Sequence, residues 1–83
     1  MKGGISVYGD GSSTGRGDGP GGWAYIVVID DRPVRCGYGG EALTTNNRAE
    51  MQALIEGLRV VRAEFSHLEG YVLELVSDSQ LAL

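Results

Sequence analysis

The spacing of apolar residues predicts three strands in the first half of the chain, at residues 4–10, 22–30 and 33–39. In the first strand, apolar Ile5 and Val7 alternate with polar neighbours, which is typical of a strand with one buried face. The second strand is a continuous apolar run, which indicates burial on both faces. Turn-forming residues 30–33 separate the second and third strands and predict a hairpin. Seven of the fourteen glycines lie in residues 9–22, which are therefore expected to form a flexible loop.

The periodicity changes from strand-like to helical after a predicted loop at residues 39–45. Apolar residues then recur every three or four positions, which predicts an amphipathic helix at about residues 47–64. The residues expected to form its sheet-facing stripe are Met51, Leu54, Ile55, Leu58, Val61 and Phe65. Either Asn46 or Asn47 is the predicted N-cap, because asparagine side chains accept hydrogen bonds from the first helical N–H groups.

A fourth strand and the start of a second helix complete the predicted elements, at about residues 71–77 and 79–83. A strand that follows a crossover helix in this way pairs in parallel. The pattern predicts a single α/β domain over residues 1–83, with a mixed sheet of three antiparallel strands, a crossover helix and a parallel fourth strand. The fourth strand would expose an apolar edge, which folded proteins usually cover. We therefore expect a fragment, a truncated gene product or half of an assembly.

Composition narrows the class of protein. The 83 residues are 42% hydrophobic and 22% charged, without an apolar run long enough to span a membrane. The segment before the first strand has no apolar signal core, which favours a cytoplasmic protein. One cysteine, Cys36, and one histidine, His67, exclude an internal disulfide and the usual zinc sites. The net charge of −4 disfavours binding of nucleic acid by phosphate neutralisation alone, but it is compatible with metal-dependent phosphoryl chemistry.

Two glycine motifs match known functional patterns only in part. Residues 17–22 fit G-x-G-x-x-G, but a strand follows them where a dinucleotide-binding site needs a helix. Residues 11–15 fit G-x-S-x-G, the serine-hydrolase elbow, but turn-forming residues follow them where a helix is needed. The only histidine that could act as the base, His67, lies beyond the far end of the predicted helix. Both motifs are therefore expected to be structural.

Three carboxylates form the stronger candidate for a site. Asp10 ends the first strand, Asp78 ends the fourth, and Glu50 lies in the predicted first turn of the helix, at the rim of its sheet-facing side. If the first and fourth strands are parallel neighbours, the three acids meet at one end of the sheet, where a hard cation such as Mg²⁺ or Mn²⁺ would offset their repulsion. Each acid also has a local explanation: turn formation by Asp10, a capping box between Asn47 and Glu50, and an N-cap at Asp78. Spacing alone leaves both interpretations open.

Four segments of the chain resemble, in order and spacing, the signatures of type 1 ribonuclease H: YGDGS (residues 8–12), GPGGWA (19–24), TTNNRAE (44–50) and SDSQ (77–80). The resemblance implies a ribonuclease H-like fold whose C-terminal strand and helices are absent here. It also implies hydrolysis of the RNA strand of an RNA/DNA hybrid, with two Mg²⁺ ions or Mn²⁺ as a substitute. Asp10, Glu50 and Asp78 match the first three catalytic carboxylates of the family, and the resemblance implies that these three residues and Gly11 bind the metal.

The resemblance further implies a set of substrate contacts: Gly11, Ser12, Ser13, Arg16, Thr45, Asn46, Asn47 and Gln80. Amide and backbone groups there would sense the 2′-hydroxyls that distinguish RNA from DNA. Arg16 stands where the family often has Asn. Family members continue with a fifth strand, further helices and a fourth carboxylate, so we expect weak cleavage by these 83 residues alone.

The partners implied are the hybrid and either a C-terminal partner fragment or a second copy associating through the edge of strand four. The alternative function is a catalytically inactive hybrid-binding or assembly module that keeps the first half of the fold. Three side chains are expected to be structural: Trp23 and Tyr25 within the sheet, and Cys36 as a small buried residue. Gly57 is expected to permit close packing of the helix on the sheet.

Overall fold

The computed structural model of the protein describes residues 3–14, 19–68 and 70–77. Its elements, in chain order, are β1 (Gly4–Ser13), β2 (Gly19–Ile29), β3 (Arg32–Thr44), α1 (Asn46–Glu64) and β4 (Val72–Ser77). The strands form one sheet in the order β3-β2-β1-β4. β4 is parallel to β1, and the other neighbours are antiparallel. The predicted α/β architecture with a crossover helix is confirmed; the predicted helix start at residues 79–83 lies outside the described residues.

The glycine-rich segments form strand, and the prediction of loops there is wrong for most of their length. β1 continues to Ser13, β2 already begins at Gly19, and β3 extends to Thr44. The glycines fit because they lie beside large neighbours: a side chain at Gly39 would overlap the Trp23 ring, and one at Gly37 would begin 2.5 Å from the Tyr25 hydroxyl oxygen. Absence of a side chain therefore makes room for cross-strand aromatic rings. The rings of Trp23 and Tyr25 are themselves stacked, with centroids 6.3 Å apart.

A tight turn joins β2 to β3, as the predicted hairpin requires. Asp30 and Asp31 are its two central residues, with φ values of 51° and 68°, so the turn is of the I′ kind that suits the twist of paired strands. The Asp30 carboxylate accepts a hydrogen bond of 3.1 Å from the Gly4 backbone N–H, and the Asp30 N–H donates to the Gly4 carbonyl oxygen at 3.0 Å. At Asp30 these hydrogen bonds support the positive φ. Asp31 adopts positive φ at a steric cost.

The substitution Asp31→Gly is expected to raise the free energy of unfolding by about 1 kcal/mol, because glycine adopts positive φ without the penalty of a Cβ. For a domain of this size, that gain corresponds to roughly 4–8 °C in melting temperature. Thermal melts followed by circular dichroism measure it. Asp30→Gly is the matched control and should gain nothing, because it also removes the acceptor for Gly4. Equal gains from both variants would contradict this account of the turn.

α1 packs on the sheet through small residues. Ala49, Ala53 and Gly57 are fully or almost fully buried on the helix, and Gly9 and Gly11 lie beneath them on β1. We call these five residues the glycine–alanine seam. A side chain at Gly57 would overlap Val7, which belongs with Ile5 and Val27 to the buried core, so the expected close packing at Gly57 is confirmed.

The predicted sheet-facing stripe of the helix is wrong in part. Met51 is 59% exposed and Ile55 is 40% exposed, whereas Leu54 and Val61 do pack against the core. The helix is rotated away from its largest side chains because its close contact with β1 depends on residues without bulky side chains. Size, as well as hydrophobicity, therefore decides which face of this helix meets the sheet.

The opposite face of the sheet carries exposed apolar residues among those described. Tyr8 is 44% exposed, Ile26 45% and Tyr38 87%, so burial of β2 on both faces is a wrong prediction. Cys36 is also exposed, contrary to expectation. On β4, Leu73 and Leu75 are about half exposed as well, but they pair with Ile5 and Val7 and so lie on the helix side of the sheet. Within the part of the chain described, no helix is both long and apolar enough to cross a membrane.

Candidate functional site

The end of β1, which carries Asp10, is in backbone contact with α1 next to Glu50. Asp10 lies on β1 between the two seam glycines. A side chain on Gly11 would begin only 2.5 Å from the carbonyl carbon of Ala49 and 2.6 Å from the backbone nitrogen of Glu50. The strand backbone next to Asp10 therefore touches the helix backbone at Glu50. This contact is possible because neither Gly11 nor Ala49 has a side chain large enough to separate the two elements.

The two carboxylates differ in environment. Asp10 is exposed, and because neighbouring side chains alternate along a strand, it lies on the face opposite to α1. Glu50 is only 8% exposed, and its Oε2 accepts a hydrogen bond of 2.6 Å from the Ser77 hydroxyl on β4. Ser77 stands opposite Gly9 in the parallel register of β4 and β1. The side chain of Glu50 thus connects the helix to the strand that runs beside Asp10.

The third predicted carboxylate, Asp78, lies outside the described residues and directly follows Ser77 in the chain. Ser77 itself is a residue that the reasoning on the sequence missed. Its signal was its position: it is the last residue of a strand, immediately before a candidate ligand, and it carries a hydroxyl that can donate to a carboxylate.

The helix is capped one residue earlier than predicted. Thr45 is the N-cap, and its hydroxyl oxygen accepts a hydrogen bond of 3.2 Å from the Arg48 backbone N–H. Neither Asn46 nor Asn47 is the cap, because both are already helical. Glu50 consequently lies beyond the first turn, and the position that a capping box would use is Arg48. The explanation of Glu50 as a capping-box partner is therefore wrong.

Asn46 has a different task, which is to connect the helix to β1. Its Oδ1 accepts hydrogen bonds from the Ser13 backbone N–H at 2.6 Å and from the Ser13 hydroxyl at 3.2 Å. These bonds bring together most of the predicted substrate contacts at the end of β1 and the start of α1: Gly11, Ser12, Ser13, Thr45, Asn46 and Asn47. The two others, Arg16 and Gln80, lie outside the described residues. The exposed imidazole of His67 lies beyond the opposite end of α1, which gives no support to a serine-hydrolase site at Ser12 or Ser13.

The donors present suit a hard divalent cation. Among residues 3–14, 19–68 and 70–77, no three acidic, histidine or cysteine side chains cluster as a metal site. Asp10 and Glu50 both offer carboxylate oxygens, which Mg²⁺ and Mn²⁺ prefer as ligands. Burial of a carboxylate with a hydroxyl donor leaves a negative charge that a cation would offset. The chemistry of these residues therefore fits such an ion.

Comparison with known proteins decides the family. A family model described as RNase H matches residues 2–83. The chain belongs to the RNase H family. Among its curated relatives, the Ribonuclease H of Hahella chejuensis is 40% identical over 76 residues, covering 92% of this chain and 46% of that protein. The Ribonuclease H of Treponema denticola is 43% identical over 80 residues, covering 90% of this chain and 49% of the relative. This RNase H chain thus spans about half the length of the curated relatives that it matches.

Solved structures agree with this assignment. LC11-RNase H1, crystallised in complex with an RNA/DNA hybrid, superposes with a TM-score of 0.81 at 28% identity, over 93% of this chain and 56% of that one. RNase H1 of the halophilic archaeon Halobacterium salinarum gives a TM-score of 0.73 at 37% identity, over 93% and 55% of the respective chains. The ribonuclease H-like fold implied by the sequence motifs is confirmed.

Proposed function

We propose that this chain carries the first part of a ribonuclease H site, which hydrolyses the RNA strand of an RNA/DNA hybrid with Mg²⁺ or Mn²⁺. The observation that carries the proposal is the contact between β1 and α1 at Gly11, next to Asp10, where the buried Glu50 is bonded to β4. Family membership and the likeness to an RNase H1 that was crystallised with such a hybrid support it.

The carboxylates are the residues that would hold the ions. Asp10, Glu50 and Asp78 would each supply carboxylate oxygens as ligands. When bound, the ions would neutralise the negative charge that develops on the phosphate oxygens during hydrolysis. Asp10 is accessible from solvent, and Glu50 is held almost out of it. The protein's part is therefore to keep one ligand ordered before substrate arrives.

The residues at the start of α1 would contact the substrate. Because Oδ1 of Asn46 already accepts two hydrogen bonds from Ser13, its amide nitrogen is the group left to donate to the hybrid. Acceptors of that kind include the 2′-hydroxyl oxygens and the base edges of the minor groove. Gly11, Ser12, Thr45 and Asn47, with Arg16 and Gln80, would complete this surface.

The direct test is cleavage of a labelled RNA/DNA hybrid by the purified chain. We expect products in Mg²⁺ or Mn²⁺, none in EDTA, and none from the matching RNA/RNA and DNA/DNA duplexes. Cleavage that persists in EDTA would overturn the proposal. Binding of the hybrid without any cleavage in either ion would instead favour the inactive binding module. Weak turnover by these 83 residues stays a prediction, and the same assay measures it.

Thermal melts give a second measurement that does not require turnover. Ions that bind the folded state alone stabilise it by about 1.4 kcal/mol at tenfold excess over the dissociation constant. We therefore expect Mn²⁺ to raise the melting temperature by roughly 5–10 °C in a domain of this size. The cytoplasmic location and the association with a C-terminal fragment or a second copy through β4 remain proposals. Light scattering with and without such a fragment tests the association.

A further inference from the structure

We propose that Ser77 is a positioning residue, which fixes the carboxylate of Glu50 in the orientation that a divalent ion needs. The inference rests on the proposed function and assigns a role to a side chain outside the predicted site. Its basis is the hydrogen bond of 2.6 Å from the Ser77 hydroxyl to Oε2 of Glu50. At this distance the bond is short, as hydroxyl-to-carboxylate bonds are when the acceptor is charged.

The bond controls the part of Glu50 that packing leaves free. The carboxyl group of a glutamate can turn about its terminal torsion, which has a broad energy profile. Burial to 8% exposure holds the stem of Glu50 between helix and sheet, but it does not choose the rotation of the carboxylate plane. A hydrogen bond to one carboxylate oxygen does fix this rotation. Ser77 therefore determines which lone pairs of Glu50 face outward.

Ser77 is itself held in place relative to Asp10. It pairs with Gly9 in the β1–β4 register, one residue from Asp10 on the neighbouring strand. Ser77 and Glu50 both lie on the helix side of the sheet, since a side chain at Gly9 would meet Leu54 and Ala53 of α1. The hydroxyl of Ser77 therefore fixes the position of the Glu50 carboxylate relative to β1, the strand that carries Asp10. Hydrogen-bond partners behind metal ligands have this function in many proteins.

The test compares Ser77→Val with Ser77→Thr, two side chains of nearly equal shape of which only threonine keeps the hydroxyl. Both are β-branched and suit a strand. The concentration of Mn²⁺ that gives half of the maximal rise in melting temperature is measured for each variant. We expect it to increase about 10-fold or more for Ser77→Val, the usual loss when such a partner is removed. For Ser77→Thr it should remain within about 3-fold of the parent chain, which would be rescue by the hydroxyl alone.

The chain offers a matched control in a second serine–glutamate pair. The Ser6 hydroxyl on β1 donates to Oε1 of Glu74 on β4 at 3.4 Å, so Ser6→Val removes a similar bond between the same strands. We expect its Mn²⁺ titration to match the parent. Ser77→Ala, a smaller variant without the hydroxyl, replaces Ser77→Val in the comparison if the valine variant does not fold.

The outcomes separate the two proposals. If the parent chain shows no rise in melting temperature with Mn²⁺, the proposed metal site fails, and the role of Ser77 fails with it. If the parent responds and the variant without the hydroxyl titrates as the parent does, only the role of Ser77 is overturned. It is also overturned if Ser77→Thr binds the ion as weakly as Ser77→Val, because shape would then explain the loss.

Discussion

Asp10→Asn is expected to reduce cleavage of the hybrid by on the order of 100-fold or more, which is the range for loss of one preorganised charge-stabilising group. The change removes a negative charge and keeps the size of the side chain, so the ion loses a ligand while β1 keeps its shape. Cleavage rates in Mn²⁺ and the Mn²⁺-dependent rise in melting temperature measure the effect. In EDTA, the variant should melt no lower than the parent, because Asp10 is exposed and asparagine keeps the size of its side chain.

Asp31→Asn is the matched control for this charge change. Asp31 is an exposed residue of the turn between β2 and β3, and asparagine tolerates positive φ as well as aspartate does. We expect its cleavage rate and its response to Mn²⁺ to equal those of the parent chain. If Asp10→Asn behaved like Asp31→Asn in both measurements, Asp10 would not be a ligand.

Gly11→Ala is expected to destabilise the protein by about 2–3 kcal/mol, within the range for added atoms in a well-packed interior. The new Cβ would begin 2.5 Å from the Ala49 carbonyl carbon and 2.6 Å from the Glu50 nitrogen. Both atoms belong to the helix backbone, which no side-chain rotation can move aside. The melting temperature should therefore fall by roughly 10–20 °C. Helix and strand must separate, so Mn²⁺ binding should also weaken.

Gly40→Ala is the control for the loss of a strand glycine. The nearest atom to a side chain there would be the Gly21 carbonyl oxygen at 3.5 Å, an ordinary van der Waals distance. We expect a change of less than about 1 kcal/mol in the free energy of unfolding, as for surface substitutions in general. A Gly11→Ala melting temperature close to that of Gly40→Ala would show that α1 does not rest on β1 as described.

The sequence predicted the elements and their order well, because the periods of apolar residues differ between strand and helix. It failed where glycine decided the structure. Turn-forming composition at residues 9–22 indicated a loop, yet Gly11 and Gly19 belong to strands. Composition measures the intrinsic preference of a residue, whereas these glycines are explained by their neighbours, such as the helix backbone over Gly11. Contacts of that kind join residues far apart in the chain and have no local signal.

The candidate site could be predicted only in part. Asp10 and Glu50 could be placed at one end of the sheet because strand ends and helix starts are visible in the pattern. The position of Ser77 before a candidate ligand was visible, but its hydrogen bond to Glu50 could not be predicted, since the bond depends on the register of β4 against β1. The cap at Thr45 was missed because asparagine and threonine are both good caps, and a one-residue shift separates them.

The glycine–alanine seam has a consequence for the evolution of this protein. Because all five of its residues have either no side chain or a single methyl group, mutation can change them almost solely by adding atoms. Substitutions at these positions would add atoms that overlap their neighbours, so we expect them to be selected against. The outward half of the same helix, with Met51 and Ile55, is under no such limit. Among homologous sequences, this helix should vary on its large hydrophobic positions and stay fixed on its smallest ones.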